Sequence, residues 1–276
     1  MKYEMGSAKW HEGGEKALAA DAGSPESLEK LKEKVGEDLF ESIKELLIRK
    51  EFKLGEGATA MVFYPPDNPN ICYKIIRKVD VFGKRADDDT TKDLEYFSKK
   101  TKDMPWHNTI SHEADLLDRA YDPGSSVGVP RAYLTFTVNG DEEGEGYFVS
   151  DRVDVLVMER LQGMNLQDLI VKKLPLPEGF NLDQAMTDLR AFLEKMHAKG
   201  VTHRDFAERN IMVNPNGRLD VIDFGRSTED RADPYIELLN DGKKMRFPVT
   251  DEHALDLIEK SLREYQAFHQ ELTKNK

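Results

Sequence analysis

The chain has a single cysteine, Cys72. One thiol excludes an intrachain disulfide framework and any metal site built from several cysteines. Cys72 sits in the apolar run Ile71-Cys72-Tyr73, which predicts a buried strand residue. No apolar run approaches the roughly 20 residues that span a bilayer. The N-terminus also lacks the apolar core of a secretory signal. These absences predict a chain that works in a reducing cytoplasm. Delivery into a host cell by a specialised secretion machine leaves no mark in a sequence and stays open beside it. Positive charge is in deficit: 40 Lys and Arg stand against 52 Asp and Glu, a net charge of −12. Such a surface repels nucleic-acid phosphates and anionic membranes, which argues against nucleic acid as a partner. The net charge leaves room for a local basic patch, for example near Lys99, Lys100 and Lys102.

What is present fits a soluble globular chain of one or two domains: 276 residues, 39% hydrophobic and 33% charged. Residues 1–23 are polar and aperiodic and read as a flexible arm. Ser24-Pro25 then offers an N-cap and a proline at the first helical position. Leu28, Leu31, Val35, Leu39, Ile43, Leu46 and Leu47 follow at helical spacing, predicting a helical extension over 24–50. It either packs on the domain behind it or receives a partner.

Beyond that the texture turns to short strands. They are expected over Phe52–Phe63 and Ile71–Arg77, joined by the turn-rich stretch 65–70. Residues 78–108 are densely charged and read as a surface insertion, the second candidate for partner binding. A helix follows near Thr109–Tyr121. Strands follow near Arg131–Asn139, Tyr147–Ser150 and Asp154–Glu159. The second half reads as mainly helical, with helices over Leu166–Val171, Leu182–Lys199 and Thr250–Leu272. The last is expected to bury Ala254, Leu257, Ile258, Leu262 and Tyr265. Ile211–Val213 and Arg218–Ile222 form a hairpin around Asn214-Pro215-Asn216-Gly217. The expected fold class is therefore α+β.

The strongest constellation is His203-Arg204-Asp205 with Asn210 five residues after the aspartate, then Asp223-Phe224-Gly225 thirteen residues after Asn210. A carboxylate such as Asp205 can take a proton from an attacking hydroxyl. An amide oxygen and a second carboxylate, Asn210 and Asp223, suit a hard divalent cation. The hairpin returns the chain so that Asp223 lies beside Asn210. The triplet alone is common by chance; the four elements together are specific.

In these residues the chain resembles the protein kinase superfamily. The resemblance covers roughly Phe52–Arg226 and implies a two-lobed fold. Its N-lobe is an antiparallel sheet plus helix over 51–160, carrying the 78–108 insertion. Its C-lobe is shortened and mainly helical, over 161–276. The resemblance implies that Asp205 is the catalytic base and that Asn210 and Asp223 bind Mg²⁺, with Mn²⁺ as a substitute. The ATP would meet Gly55, Gly57 and Val62 of a Gly-rich loop, Leu54-Gly55-Glu56-Gly57-Ala58-Thr59-Ala60-Met61-Val62, whose third glycine is replaced by Ala60. Lys74 matches the strand lysine on the α/β-phosphates, and Glu113 in Ser111-His112-Glu113-Ala114 matches its partner. Leu156–Gly163 looks like the hinge. There Met158 lies beside the adenine and the backbone of Glu159 and Leu161 bonds the base. Asn165 and Asp168 suit either the ribose or the acceptor, or else a helix cap and a surface position.

The departures concern the acceptor. Ala207 stands where Ser/Thr kinases usually carry Lys. Ala207 with Arg209 matches the tyrosine-kinase pattern, and Arg209 is expected to supply the missing charge. Only 51 residues follow Gly225 and no Ala-Pro-Glu occurs. Residues 226–249 would then serve as an abbreviated activation segment, and Asp251 or Asp256 as a brace for the catalytic loop. Ser227 and Thr228 are candidate autophosphorylation sites read by Arg204. Arg204 favours a protein kinase, because small-molecule phosphotransferases usually have Gly there. The reading is thus a kinase acting on protein Ser, Thr or Tyr. The alternatives are a small-molecule phosphotransferase of aminoglycoside- or sugar-kinase type, acting on a small alcohol, and a pseudokinase scaffold.

Overall fold

The computed structural model describes residues 4–11, 52–56, 60–65, 68–77, 109–139, 152–229, 235–240, 243–248 and 250–274. The expected helical extension over 24–50, the insertion over 78–108, the strand near Tyr147–Ser150 and Gly57 lie outside them. The described residues divide into two compact units. One falls within Met1–Asp115 and Arg131–Arg160, the other within Leu116–Pro130 and Leu161–Lys276. Among the described residues no helix is long and apolar enough to cross a membrane.

The first unit is built on one antiparallel sheet. Its strands are β1 (Glu4–Trp10), β2 (Lys53–Glu56), β3 (Ala60–Phe63), β4 (Ile71–Arg77), β5 (Ala132–Asn139) and β6 (Arg152–Glu159), in spatial order β1-β5-β6-β4-β3-β2. Two expectations need correction. The run Phe52–Phe63 is two strands, β2 and β3, paired antiparallel with Gly55 opposite Val62. Residues 4–10, expected within a flexible arm, form the edge strand β1 against β5, with Lys9 opposite Thr135. Strand pairing supplies backbone partners that local polarity cannot forecast. Beyond β1, His11 N–H donates to the Tyr133 carbonyl at 3.1 Å. Successive residues Ile71 to Ile75 and Asp154 to Val157 are all buried. Neighbouring strand residues face opposite sides, so both faces of these central strands are covered. Helix α1 (Ile110–Ala120) follows β4 in the element order.

The second unit holds helices α2 (Leu166–Val171), α3 (Leu182–Ala198) and α4 (Asp251–Lys274), the small sheet β7 (Met164–Asn165), β8 (Ile211–Val213) and β9 (Leu219–Val221), and a separate hairpin β10 (Tyr235–Asn240) and β11 (Lys243–Pro248). Helix α3 starts where Asn181 Oδ1 accepts from the Gln184 amide at 3.1 Å. It ends at Gly200, whose φ of 75° suits a residue without Cβ. There Gly200 N–H donates to His197 and Val201 N–H to Met196. Leu182, Ala185, Met186, Leu189, Phe192, Leu193 and Met196 form its buried face. Each large side chain among them contributes roughly 1.5–3 kcal/mol.

Helix α4 buries Ile258, Leu262 and Tyr265 as expected, but takes Leu255 rather than Leu257 into its core. Leu255, Ile258, Leu262 and Tyr265 are buried, while Leu257 is 55% exposed. The spacing three, four, three keeps the buried set on one stripe, and position 257 turns away from it. Asp251, four residues before Leu255, falls on the same buried stripe. Asp256 falls outside it and meets Arg190 of α3 at 3.5 Å on the surface. The Tyr265 hydroxyl anchors the far end of α4 on the Leu169 and Leu174 carbonyls.

Gly163, at the start of β7, has φ +138°, and a Cβ there would lie 2.3 Å from the Val213 carbonyl oxygen and 2.8 Å from Asn214 Cα. Both obstacles are backbone and neither can swing aside. Gly163→Ala is expected to lower unfolding stability by about 1–3 kcal/mol, read as a lower urea midpoint at unchanged slope.

Candidate active site

In the first unit, Lys74 lies in mid-sheet, opposite Val62 on β3 and Leu156 on β6. With Gly55 opposite Val62, the residues expected to meet a nucleotide form one band across three strands. Lys74 is 7% exposed, and a buried ammonium needs a partner. Glu113 of α1, 1% exposed, supplies it: Lys74 Nζ donates to Glu113 Oε1 at 2.6 Å. Glu113 stands in the first helical turn, where the helix dipole favours a carboxylate.

The expected hinge continues β6. Met158 and Glu159 are half-buried, with Met158 opposite Cys72 and Ala132. The Glu159 N–H is committed to the Arg131 carbonyl at 2.9 Å. Its own carbonyl accepts the Cys72 thiol at 3.6 Å, a weak bond that leaves acceptor capacity. Leu161 is half-buried and begins the stretch of the chain assigned to the second unit. Cys72 is buried as expected, and burial pushes its thiol up to about 12.

In the second unit the catalytic-loop residues are held from several sides. The His203 ring is fully buried, with Nε2 donating to the Ile222 carbonyl at 3.0 Å and Nδ1 accepting from the Asp205 amide at 3.3 Å. Those two bonds define its tautomer. The ring stacks edge-on against Phe206 and Phe224, with centroids 5.7 Å and 4.8 Å away. Arg204 and Asp223 adopt left-handed backbone, φ 62° and 64°. Such conformations persist only where the surroundings over-determine them.

Asp251 is the main support. Its Oδ2 accepts from the His203 amide at 2.7 Å and from His197 Nε2 at 2.9 Å, and its Oδ1 accepts from the Arg204 amide at 2.9 Å. Burial pushes this carboxyl up. The His197 hydrogen bond, the field of His203 and the two backbone N–H groups outweigh burial and hold it below the ordinary carboxylate range. The choice between Asp251 and Asp256 as the brace is thereby resolved by helical phase.

Asn210 Nδ2 donates to the Asp205 carbonyl at 2.7 Å and to Asp205 Oδ2 at 3.0 Å. This turns its carboxamide oxygen away from Asp205. The Ile222 amide donates to the Asn210 carbonyl at 2.9 Å, holding the residue before Asp223 against Asn210. The site thus offers one amide and one carboxylate oxygen from adjacent segments, a donor set that fits a hard cation such as Mg²⁺.

Arg209 Nη2 lies 2.5 Å from Asp205 Oδ1. A second cation was missed: Arg226 Nη1 approaches the same oxygen at 3.5 Å. Its only sequence signal is its place directly after Asp223-Phe224-Gly225. Ser227 is buried, and its hydroxyl donates to the His203 carbonyl. Thr228 exchanges backbone bonds with Thr202, both at 2.9 Å. Ser227 is therefore a packing residue and presents no hydroxyl for phosphorylation. Asn165 caps α2 by accepting from the Asp168 amide at 2.7 Å, and Asp168 pairs with Lys172 on the surface.

A protein kinase domain model matches residues 144–240, which include the whole catalytic loop and Asp223-Phe224-Gly225. A probable serine/threonine-protein kinase of Streptomyces coelicolor is 33% identical over 62% of this chain and 21% of its own length. Serine/threonine-protein kinase F of Synechocystis is 30% identical over 42% of this chain and 22% of its own. A probable serine/threonine-protein kinase of Clostridium perfringens is 36% identical over 27% and 11%. The chain spans about a fifth or less of these curated relatives. The matched stretch, the Lys74–Glu113 pair and the braced catalytic loop agree with one another, and together they support membership of the protein kinase superfamily.

Proposed function

We propose that this chain is an ATP- and Mg²⁺-dependent protein kinase that transfers the γ-phosphoryl group to a Ser or Thr hydroxyl of a protein. The observation that carries this reading is Asp205, Asn210 and Asp223 gathered on one Asp251-braced loop and hairpin. The names of the relatives support the acceptor class.

Each residue has a task under this reading. Lys74, oriented by Glu113, donates to the α- and β-phosphates, and the Gly55 backbone approaches phosphate oxygens with no side chain in the way. The Glu159 carbonyl and the Leu161 backbone meet the adenine edge. Asn210 and Asp223 would hold the Mg²⁺, which supplies charge neutralisation along the phosphates. Asp205 takes the proton of the acceptor hydroxyl as its oxygen bonds to the γ-phosphorus, and the bond from that phosphorus to the β-phosphate oxygen breaks. Arg209 donates to the transferred phosphoryl group.

Intact-mass measurement after incubation with ATP and Mg²⁺, on the chain and on a mixed protein substrate, tests the reading. Wild-type protein is expected to label substrate, and Asp223→Asn to lose at least about 100-fold of the rate through weakened metal binding. Transfer to a small alcohol alone, or label that persists in Asp223→Asn, would overturn it.

A further inference from the structure

A row of residues runs in register across the sheet of the first unit. Lys9 of β1 lies opposite Thr135 of β5, Thr135 opposite Leu156 of β6, and Leu156 opposite Lys74 of β4. Residues paired across strands share a face of the sheet. Lys9 and Lys74 therefore rise from the same face, and both end on helix α1. Lys74 Nζ meets Glu113 Oε1 at 2.6 Å, and Lys9 Nζ meets Asp115 Oδ1 at 2.6 Å. The Lys9 pair is half-exposed, and such a pair alone is weak. His11 adds a buried anchor. Its ring, 1% exposed, places Nδ1 3.6 Å from the same Asp115 oxygen and Nε2 3.3 Å from the Thr135 hydroxyl oxygen. That hydroxyl donates to the Lys9 carbonyl at 3.5 Å, and the His11 amide is tied to β5 through the Tyr133 carbonyl. Glu113 and Asp115 stand about 200° apart around the helix axis. One attachment leaves a helix free to roll about it, and two on different sides fix the roll.

We propose that β1 is a strap for α1, and that His11 and Lys9, acting through Asp115, are positioning residues for the Lys74–Glu113 pair. The inference rests on the kinase reading above, in which Lys74 of that pair donates to the α- and β-phosphates. Lys74 is aimed at the phosphates only while the Glu113 carboxylate stays within reach. With Asp115 released, α1 can roll, Glu113 draws off, and the ammonium loses the contact that orients it. His11, Lys9 and Asp115 have no place among the residues that meet the nucleotide. Whatever they do to ATP binding therefore passes through Glu113.

The test measures three things on the full chain: affinity for a non-hydrolysable ATP analogue with Mg²⁺ by calorimetry, KM for ATP and for a protein substrate, and hydrogen exchange at the α1 amides. His11→Ala is expected to weaken analogue binding and raise KM for ATP by about three- to thirtyfold, the range in which residues remote from a ligand modulate its site. KM for the protein substrate is expected to stay within about threefold, which a general loosening of the fold would not spare. Asp115→Asn, at a partly exposed position, is expected to reproduce the effect at the lower end of that range and decides the matter should His11→Ala fail to fold. Faster exchange along α1 accompanies both. In a Glu113→Gln background His11→Ala is expected to add less than about twofold, because the contact through which it acts is already gone. Unchanged analogue affinity in Asp115→Asn overturns the proposal, as does a His11→Ala loss that persists in full beside Glu113→Gln. Faster α1 exchange in the variants of a wild-type chain that binds no nucleotide upholds the strap and overturns the kinase reading instead.

Discussion

Asp205→Asn is expected to lower kcat for phosphoryl transfer by roughly 10²–10⁴-fold, the usual range for a lost general base. The substitution is nearly isosteric, but it removes the proton acceptor and half of the acceptor geometry. Asn210 Nδ2 and two guanidinium groups all donate to this side chain. A carboxamide can satisfy those donors through one oxygen only, and its own NH₂ then faces another donor. Two arginines also lose their shared counter-charge. The loss belongs to the chemical step, so KM for ATP is expected to move less than threefold, since Lys74, Glu113, Asn210 and Asp223 are untouched. Initial rates over a range of ATP concentrations separate the two. A variant keeping more than a tenth of the wild-type kcat would remove Asp205 from the role of base.

The largest expected effect on stability comes from Asp251. Its carboxylate is 1% exposed and carries three hydrogen bonds, two from backbone amides of the catalytic loop and one from His197. Asp251→Ala leaves all three donors facing a void. The expected cost is about 3–5 kcal/mol, the range for removing one partner of a buried charged network. Urea unfolding reads it directly. The pH dependence has a definite sign. A carboxyl held below its ordinary range in the folded state contributes stability that is complete above its unfolded pKa, and that stability is lost as pH falls through the lowered folded value. Wild type is therefore expected to keep this contribution at neutral and mildly acidic pH and to lose it only below the ordinary carboxylate range. Asp251→Asn should flatten that acid-side slope. An unchanged slope would mean that Asp251 is not the titrating brace.

How much of this was readable from residues alone depended on whether the information was local. His203 to Gly225 is a contiguous stretch whose chemistry is written in its residue types, and Lys74 announced its need for a partner by sitting charged in an apolar strand. Helix α3 and the hairpin β8–β9 were equally local, set by periodicity and by Asn-Pro-Asn-Gly. The strand β1 was not, because its partner β5 lies more than a hundred residues away and nothing in Glu-Met-Gly-Ser-Ala-Lys-Trp is distinctive. The hairpin β10–β11 escaped for a related reason: residues 226–249 were read by their place after the catalytic motif, and their pairing was not considered. The core face of α4 was legible at Ile258, Leu262 and Tyr265, and only Leu255 was missed, because the neighbouring Leu257 is equally apolar. Arg226 went unnoticed because no residue type signals which carboxylate it will reach.

The sole thiol of the chain has a practical consequence. With its pKa pushed up to about 12, only about one molecule in ten thousand carries a Cys72 thiolate at pH 8, and the sulfur is buried as well. Maleimide and iodoacetamide react with thiolate, so native protein is expected to stay nearly silent toward both. A cysteine introduced at a chosen exposed position would then take up label alone, with no need to mutate the native one. Local motions in this protein can be followed by a single fluorophore or spin label on an otherwise wild-type background.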